Sequence, residues 1–232
     1  MGRLLSLLLL AAWCAGVWTL LTFSGRPPAP TAGEAAQALS WNAFFDKFVI
    51  KALPIANRFD FPVRPPDGEG AFIARPFANG GHAGEDWNTA LGDADLNEPI
   101  VSPADGWVSL AMDFQGGWGK VVLIDYRLSP GQSPAAVEMM FAHLAEIDVE
   151  PYAFVKRGQV IGKMGNAEGV YKAHLHWEVR PTVGVGLGGA YSEDLKPWIA
   201  PTPFVAAHRG AEGAKTQAQA LPPAQWDAWG GD

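Results

Sequence analysis

Four of the five histidines of this 232-residue chain stand where an imidazole could do chemistry. His82 opens the run His82-Ala83-Gly84-Glu85-Asp86, in which a histidine and an aspartate separated by three residues share a glycine-containing loop able to turn both side chains inward. Alone, that pattern is too short to be specific. His174 and His176 flank Leu175 in a run that reads as a strand, so their side chains alternate onto one face. That face also takes Glu178 and Arg180, while Leu175, Trp177 and Val179 form an apolar opposite face suited to a core. His143 falls in an apolar stretch, on the face of Met139 and Phe141 and opposite Met140, Ala142 and Leu144. A lone histidine so placed is more often a satisfied core residue than a catalyst. Its company alters that reading. Histidine nitrogen and aspartate oxygen bind zinc at about 2.0–2.2 Å, and catalytic zinc commonly takes three protein ligands and leaves the fourth position to water. Four imidazoles and one carboxylate exceed three ligands, leaving two imidazoles to hold the reacting water, stabilise an oxyanion or protonate a leaving amine. The inventory is that of a hydrolase. Spacing alone leaves open which of His174 and His176 binds metal. His208 has no such setting.

The elements that must position these groups are mostly strands. Gly106–Met112, Lys120–Tyr126, Val137–Leu144 and His174–Arg180 are β-rich runs. Gly116-Gly117, the segment Ser129–Pro134 and Gly165-Asn166 separate them with turn residues, which favours antiparallel hairpins over helical crossovers. Upstream, Leu39, Phe44, Phe45, Phe48, Val49 and Ala52 fall at helical spacing between Glu34 and Leu53, with Ser40 as a possible cap and Pro54 beyond the end. One amphipathic helix is expected there, packed on the following domain. Leu4–Phe23 carries no charge and as a helix is long enough to cross a bilayer, so residues 1–25 read as a signal peptide or membrane anchor. Residues 26–57 then hold a proline-rich linker and the amphipathic helix, 58–210 the β domain, and 211–232 a disordered tail rich in Ala, Gln, Gly and Pro.

Composition narrows the classes. With 48% hydrophobic residues the chain can bury one sizeable core, and 27 Gly with 19 Pro argue against a helical bundle. A formal charge of −7 without a basic run excludes a nucleic-acid footprint. The single cysteine, Cys14, excludes an internal disulfide framework and a cysteine-based zinc cluster.

Read in order, the motifs resemble the lysostaphin-type (LytM-type) zinc metallopeptidases, metallopeptidase family twenty-three, most of which cut peptide bonds in bacterial peptidoglycan. His82-Ala-Gly-Glu-Asp86-Trp87 is similar to the family's first H-x-G-x-D block. Pro99–Val108, Gly116–Gly119, Phe141–Leu144, Val155–Gly162 and His174–Arg180 are similar to the blocks that follow, in the family's order. The resemblance implies that His82, Asp86 and His176 are zinc ligands and that His143 and His174 flank the water as catalytic residues. It implies a mainly β fold, an antiparallel β-sheet groove or sandwich of duplicated-hybrid kind, here preceded by the membrane helix and the short amphipathic helix. It also implies a peptidoglycan peptide as substrate, zinc as cofactor and an extracytoplasmic location in the periplasm or cell envelope.

Three other readings compete. A catalytically silent, membrane-tethered scaffold that activates a cell-wall amidase would use the same groove, but such relatives typically lose metal ligands, and all five positions stand here. A lipoyl or biotinyl carrier with Lys163 as attachment point is suggested by Ser102–Gly106 and Gly158–Gly162, yet leaves four histidines unexplained. A sugar-binding module would draw on the tryptophans and has the same defect. Trp87, Trp107, Trp118 and Trp177 lie near the motifs and are expected mostly in the core. Asp93 and Asp95 are either an acidic rim of the groove or, as expected here, part of a solvated polar loop.

Overall fold

The computed structural model describes residues 50–184, 187 and 189–209, with the backbone of 219–220. The signal or anchor expected over 1–25, residues 26–49 of the linker and amphipathic helix, and nearly all of the tail expected over 211–232 lie outside these residues. Among the described residues, no helix is long and apolar enough to cross a membrane. The first element is a helical turn, α1 (Ile50–Ala52), which ends before Pro54, as expected of a residue that lacks the amide donor.

Strands follow in chain order: β1 (Ile55–Ala56), β2 (Phe72–Arg75), β3 (Glu85–Asn88), β4 (Pro99–Val101), β5 (Gly106–Asp113) and β6 (Lys120–Leu128). After them come β7 (Ala136–Leu144), β8 (Glu146–Ile147), β9 (Phe154–Val155), β10 (Val160–Lys163) and β11 (Leu175–Arg180). Helix α2 (Pro201–Ala207) precedes β12 (Gln219–Ala220). The larger sheet runs β12-β2-β3-β11-β7-β6-β5-β9, with β1 beside β6, and a second sheet runs β4-β10-β8. Pairing is antiparallel except for β1 with β6 and β12 with β2. The fold is therefore mainly β with short helices, as composition and turn spacing predict.

Alternation along β6, β7 and β11 divides the larger sheet into two faces. Val122, Ile124, Tyr126, Met139, Phe141, Trp177 and Val179 join Phe59, Phe61 and Trp87 in the principal core. Each large side chain sealed there contributes about 1.5–3 kcal/mol over its exposed state. The opposite face carries a smaller apolar cluster of Val121, Leu123, Met140 and Ala142, flanked by half-buried Leu110, Phe114, Trp118 and Leu187. Asp86, His176, Glu178 and Arg180 lie on this second face through the pairings His176 with Asp86 and Ala142, Glu178 with Met140, and Arg180 with Glu138.

Two strand-level expectations need correction. His174 is not a strand residue: β11 begins at Leu175, and His174 is held by a separate bridge in which its amide donates to Gly165 O at 3.0 Å. Nor does His143 share the face of Met139 and Phe141. Lys120 pairs with Leu144 while Val122 pairs with Phe141, so between these pairs β7 fits two residues, Ala142 and His143, against the single Val121 of β6. The extra residue is absorbed at His143, whose φ is 62°. Such a bulge reverses the alternation beyond it, which sends Leu144 into the principal core and turns the imidazole toward His176.

Candidate metal centre

The H-x-G-x-D run works as a loop feeding an edge of the site. Asp86, on β3, is set directly opposite His176 on β11. His82 reaches the same point because the loop before β3 lies hard against β11: a Cβ on Gly84 would fall 2.6 Å from Trp177 O and 3.1 Å from His176 Cε1. Only glycine permits that approach. On its other side the loop is tied by the amide of Ala83, donating to Ala190 O at 2.8 Å, and His82 rests against the ring of Tyr191.

Three potential ligand atoms converge. His82 Nε2 lies 3.0 Å from His176 Nδ1 and 3.3 Å from Asp86 Oδ1, and His176 Nδ1 lies 3.0 Å from Asp86 Oδ1. All three residues are sealed from solvent, at 0% exposure. Among the described residues this is the group of His, Asp, Glu and Cys side chains placed to hold a metal ion. A tetrahedral zinc with bonds of about 2.0–2.1 Å has ligand-to-ligand edges of about 3.3 Å, so the triangle fits that cation. Its electrostatics agree. Burial alone would raise the Asp86 carboxyl, but the imidazoles of His82, His174 and His176 hold it well below the usual carboxylate range. Burial opposes a charge on His176, yet hydrogen bonds to Asp86 and Glu178 push it up to about 10. A buried imidazole between two carboxylates calls for positive charge, which a divalent ion at Nδ1 supplies as a proton does. Asp86 Oδ2 and His82 Nδ1 are buried with no hydrogen-bond partner in the protein.

His143 and His174 stand beside this cluster and differ in character. Their rings are 4.7 Å apart, centre to centre, in an edge-on arrangement, and His143 lies 5.5 Å from His176. Burial, reinforced by His174 and His176, holds His143 well below the usual imidazole range, so it is neutral. Both its ring nitrogens are buried without a hydrogen-bond partner. His174 Nδ1 lies 2.8 Å from the carbonyl oxygen of Lys172, which can only accept, so Nδ1 carries the proton and Nε2 is the basic nitrogen. Nε2 faces inward, 3.8 Å from Asp86 Oδ1.

The structure thus brings all five sequence-predicted residues together. Two aromatic rings flank them. Trp118 stacks on His143 with 17° between planes, and Tyr171 meets His143 edge-on at 4.9 Å. Trp87 and Trp177 are core residues, and Trp107 packs on Tyr152. Tyr171 had no sequence signal, since it lies in the irregular segment before His174. Glu178 had one: its spacing of two from His176 puts both on the same face.

The loop from Asn88 to Asn97 is not simply solvated. Asp95 is 2% exposed, and its Oδ2 accepts from Asn88 Nδ2 and the amides of Thr89 and Ala90 at 3.0–3.3 Å. Asp93 accepts from the Ala173 amide at 3.0 Å, and Asn88 Nδ2 donates to Ala173 O at 2.5 Å. This polar loop clamps the segment that delivers His174.

Residues 80–187 match the sequence pattern of peptidase family M23. That span contains the whole cluster. Solved structures are similar as well. A Pseudomonas aeruginosa protein assigned to peptidase M23 shares 26% identity over 67% of this chain and 58% of its own length, with a TM-score of 0.40. The catalytic domain of lysostaphin from Staphylococcus simulans shares 20% over 58% and 88%, with a TM-score of 0.39. A zinc-containing peptidase from Vibrio cholerae shares 26% over 53% and 37%, with a TM-score of 0.38. A search of curated proteins gives no match.

Proposed function

We propose that this protein is a zinc-dependent metalloendopeptidase acting outside the cytoplasm on peptide bonds of bacterial peptidoglycan, a reading supported by the match of residues 80–187 to the sequence pattern of peptidase family M23. The observation that carries the reading is the buried triangle of His82 Nε2, Asp86 Oδ1 and His176 Nδ1, with two further imidazoles beside it. The intact set is what a scaffold that only binds an amidase has no need to keep.

His82, Asp86 and His176 would hold the zinc, which when bound acts as a Lewis acid toward the scissile carbonyl and makes water nucleophilic near neutral pH. The chain's own residues divide the remaining work. His174, with its Nδ1 proton on the Lys172 carbonyl, offers Nε2 as the acceptor for a proton of the attacking water. The water oxygen bonds to the amide carbon, the carbon–nitrogen bond breaks, and the same imidazolium returns the proton to the leaving amine. His143 stays neutral and donates one ring N–H to the oxyanion formed at the carbonyl oxygen. Trp118, stacked on its ring, and Tyr171, edge-on to it, fix the plane of the imidazole.

The test is mass spectrometry of products after the zinc-loaded chain is incubated with purified crosslinked peptidoglycan, beside its His176→Ala form. New stem-peptide termini that vanish in the variant are expected, and their masses identify the bond. Zinc binding without cleavage would exclude this substrate, whereas a native chain that holds no zinc would overturn the enzyme reading.

A further inference from the structure

Behind His176, on the side away from the ligand triangle, runs a buried chain of hydrogen bonds that the proposed reaction does not use. His176 Nε2 lies 3.0 Å from Glu178 Oε1. The other oxygen, Oε2, receives three donors: Arg180 Nε at 2.9 Å, Arg180 Nη2 at 2.8 Å and Trp198 Nε1 at 2.6 Å. Arg180 Nη1 continues to Glu138 Oε1 at 3.1 Å, and Glu138 Oε2 accepts from the Gly184 amide at 3.0 Å. Glu178, Arg180 and Glu138 are each at most 1% exposed.

Such a stripe is a poor device for stability. Burying three charged side chains costs desolvation that their attraction offsets only partly, and apolar replacements of similar volume are often as stable or more so. The stripe does, however, fix something that packing cannot. An imidazole binds a metal through the nitrogen that lacks a proton, and the partner of the other nitrogen decides which one that is.

We propose that Glu178 is the positioning residue of His176: its Oε1 holds the imidazole proton on Nε2 and so keeps the Nδ1 lone pair aimed at the zinc position between Asp86 and His82. Arg180 and Trp198 make the arrangement unambiguous. With three donors on Oε2, the carboxylate cannot rotate without leaving them unpaired, so Oε1 alone faces the ring. Glu138 in turn holds the far side of the guanidinium. The inference rests on the zinc reading above and extends it from the ligands to the residues that select the ligand atom.

The same geometry makes an isosteric change informative. In Glu178→Gln, the three donors at Oε2 require the amide oxygen there, which turns the amide NH2 toward His176 Nε2. Two donors cannot face each other, so Nε2 must become the acceptor, the ring proton moves to Nδ1, and Nδ1 no longer offers a lone pair.

The experiment measures zinc affinity of the full native chain and of Glu178→Gln by chelator competition, with circular dichroism of both to report folding. In parallel, ring nitrogen-15 shifts of His176 are recorded in the zinc-loaded native chain. Zinc binding weakened about 10–100-fold in a folded variant is expected, with Nε2 as the protonated nitrogen of the native ring. Native-like zinc affinity in the variant would overturn the positioning role while leaving the zinc reading intact. A native His176 protonated at Nδ1 would overturn it equally, and decides the matter if Glu178→Gln does not fold. A native chain that binds no zinc overturns the zinc reading itself, and this inference with it.

Discussion

Two histidines separated by a single residue become different tools through the partner of their second nitrogen. His174 places a proton on Nδ1 by donating to a main-chain carbonyl, whereas His176 faces Glu178 through Nε2 and turns Nδ1 to the ligand triangle. Replacing His82 or His176 by Ala is therefore expected to abolish both zinc binding and hydrolysis. His143 contacts the cluster only ring to ring, so His143→Ala should retain zinc within a few-fold and lose turnover by about 10²–10⁴-fold. Zinc content by atomic absorption, measured beside kcat, separates the two classes, and zinc loss in His143→Ala would make His143 a ligand. The period of a strand was enough to put His176, Glu178 and Arg180 on one face. It could not say which nitrogen each ring presents, because that depends on Lys172 O, Glu178 and Asp86, whose approach is set by loop paths and not by spacing.

At the scale of elements, the device that matters most is the bulge ending β7. Simple alternation would bury the His143 imidazole in the principal core and turn Leu144 into the site. The extra residue exchanges them. A bulge is a property of paired strands, so it was invisible in the β7 sequence alone and became legible only with the register against β6. Its neighbours must give it room. A Cβ on Gly165 would lie 2.3 Å from both His143 O and Ala145 N, all main-chain atoms that cannot step aside independently. Gly165→Ala should accordingly displace the end of β7, lowering unfolding free energy by about 1–3 kcal/mol or more and reducing kcat. Zinc affinity should change little, because Gly165 touches none of the three proposed ligands. Denaturant unfolding and zinc titration of the same variant check both halves. Unchanged stability would mean that β7 tolerates the shift and that the bulge is not held by this contact. The hairpins that carry the bulge were legible throughout, since β5, β6 and β7 extend the expected runs by at most two residues at either end.

At the scale of the whole molecule, the second face of the sheet buries more acid than base. Asp125 on β6 pairs across with Glu138 on β7, and Glu138 shares the single guanidinium of Arg180 with Glu178. One cation cannot satisfy three carboxylates, so the least supported one takes a proton. That is Asp125: burial first, and then repulsion from Glu138, push its carboxyl up to about 8, against a small opposing effect from the Ser109 hydroxyl. The folded chain thus binds a proton at Asp125 between about pH 4 and 8 that the unfolded chain has released. Stability must fall with rising pH wherever the folded state holds more protons than the unfolded state. This contribution is fully present below the unfolded carboxyl value of about 4 and is lost as pH rises through about 8. Asp125→Asn keeps an uncharged group of the same shape beside Ser109 and removes the titration. The variant should match the native chain near pH 4 and become progressively more stable than it toward pH 8, as measured by denaturant unfolding at a series of pH values. Comparing the two chains at each pH cancels the titration of groups not coupled to Asp125, such as Glu85 and the histidine cluster, while Glu138, which repels Asp125, belongs to the difference being measured. A constant difference across the range would mean that Asp125 is ionised in the fold throughout, and that the acids of this face are balanced by charge other than Arg180.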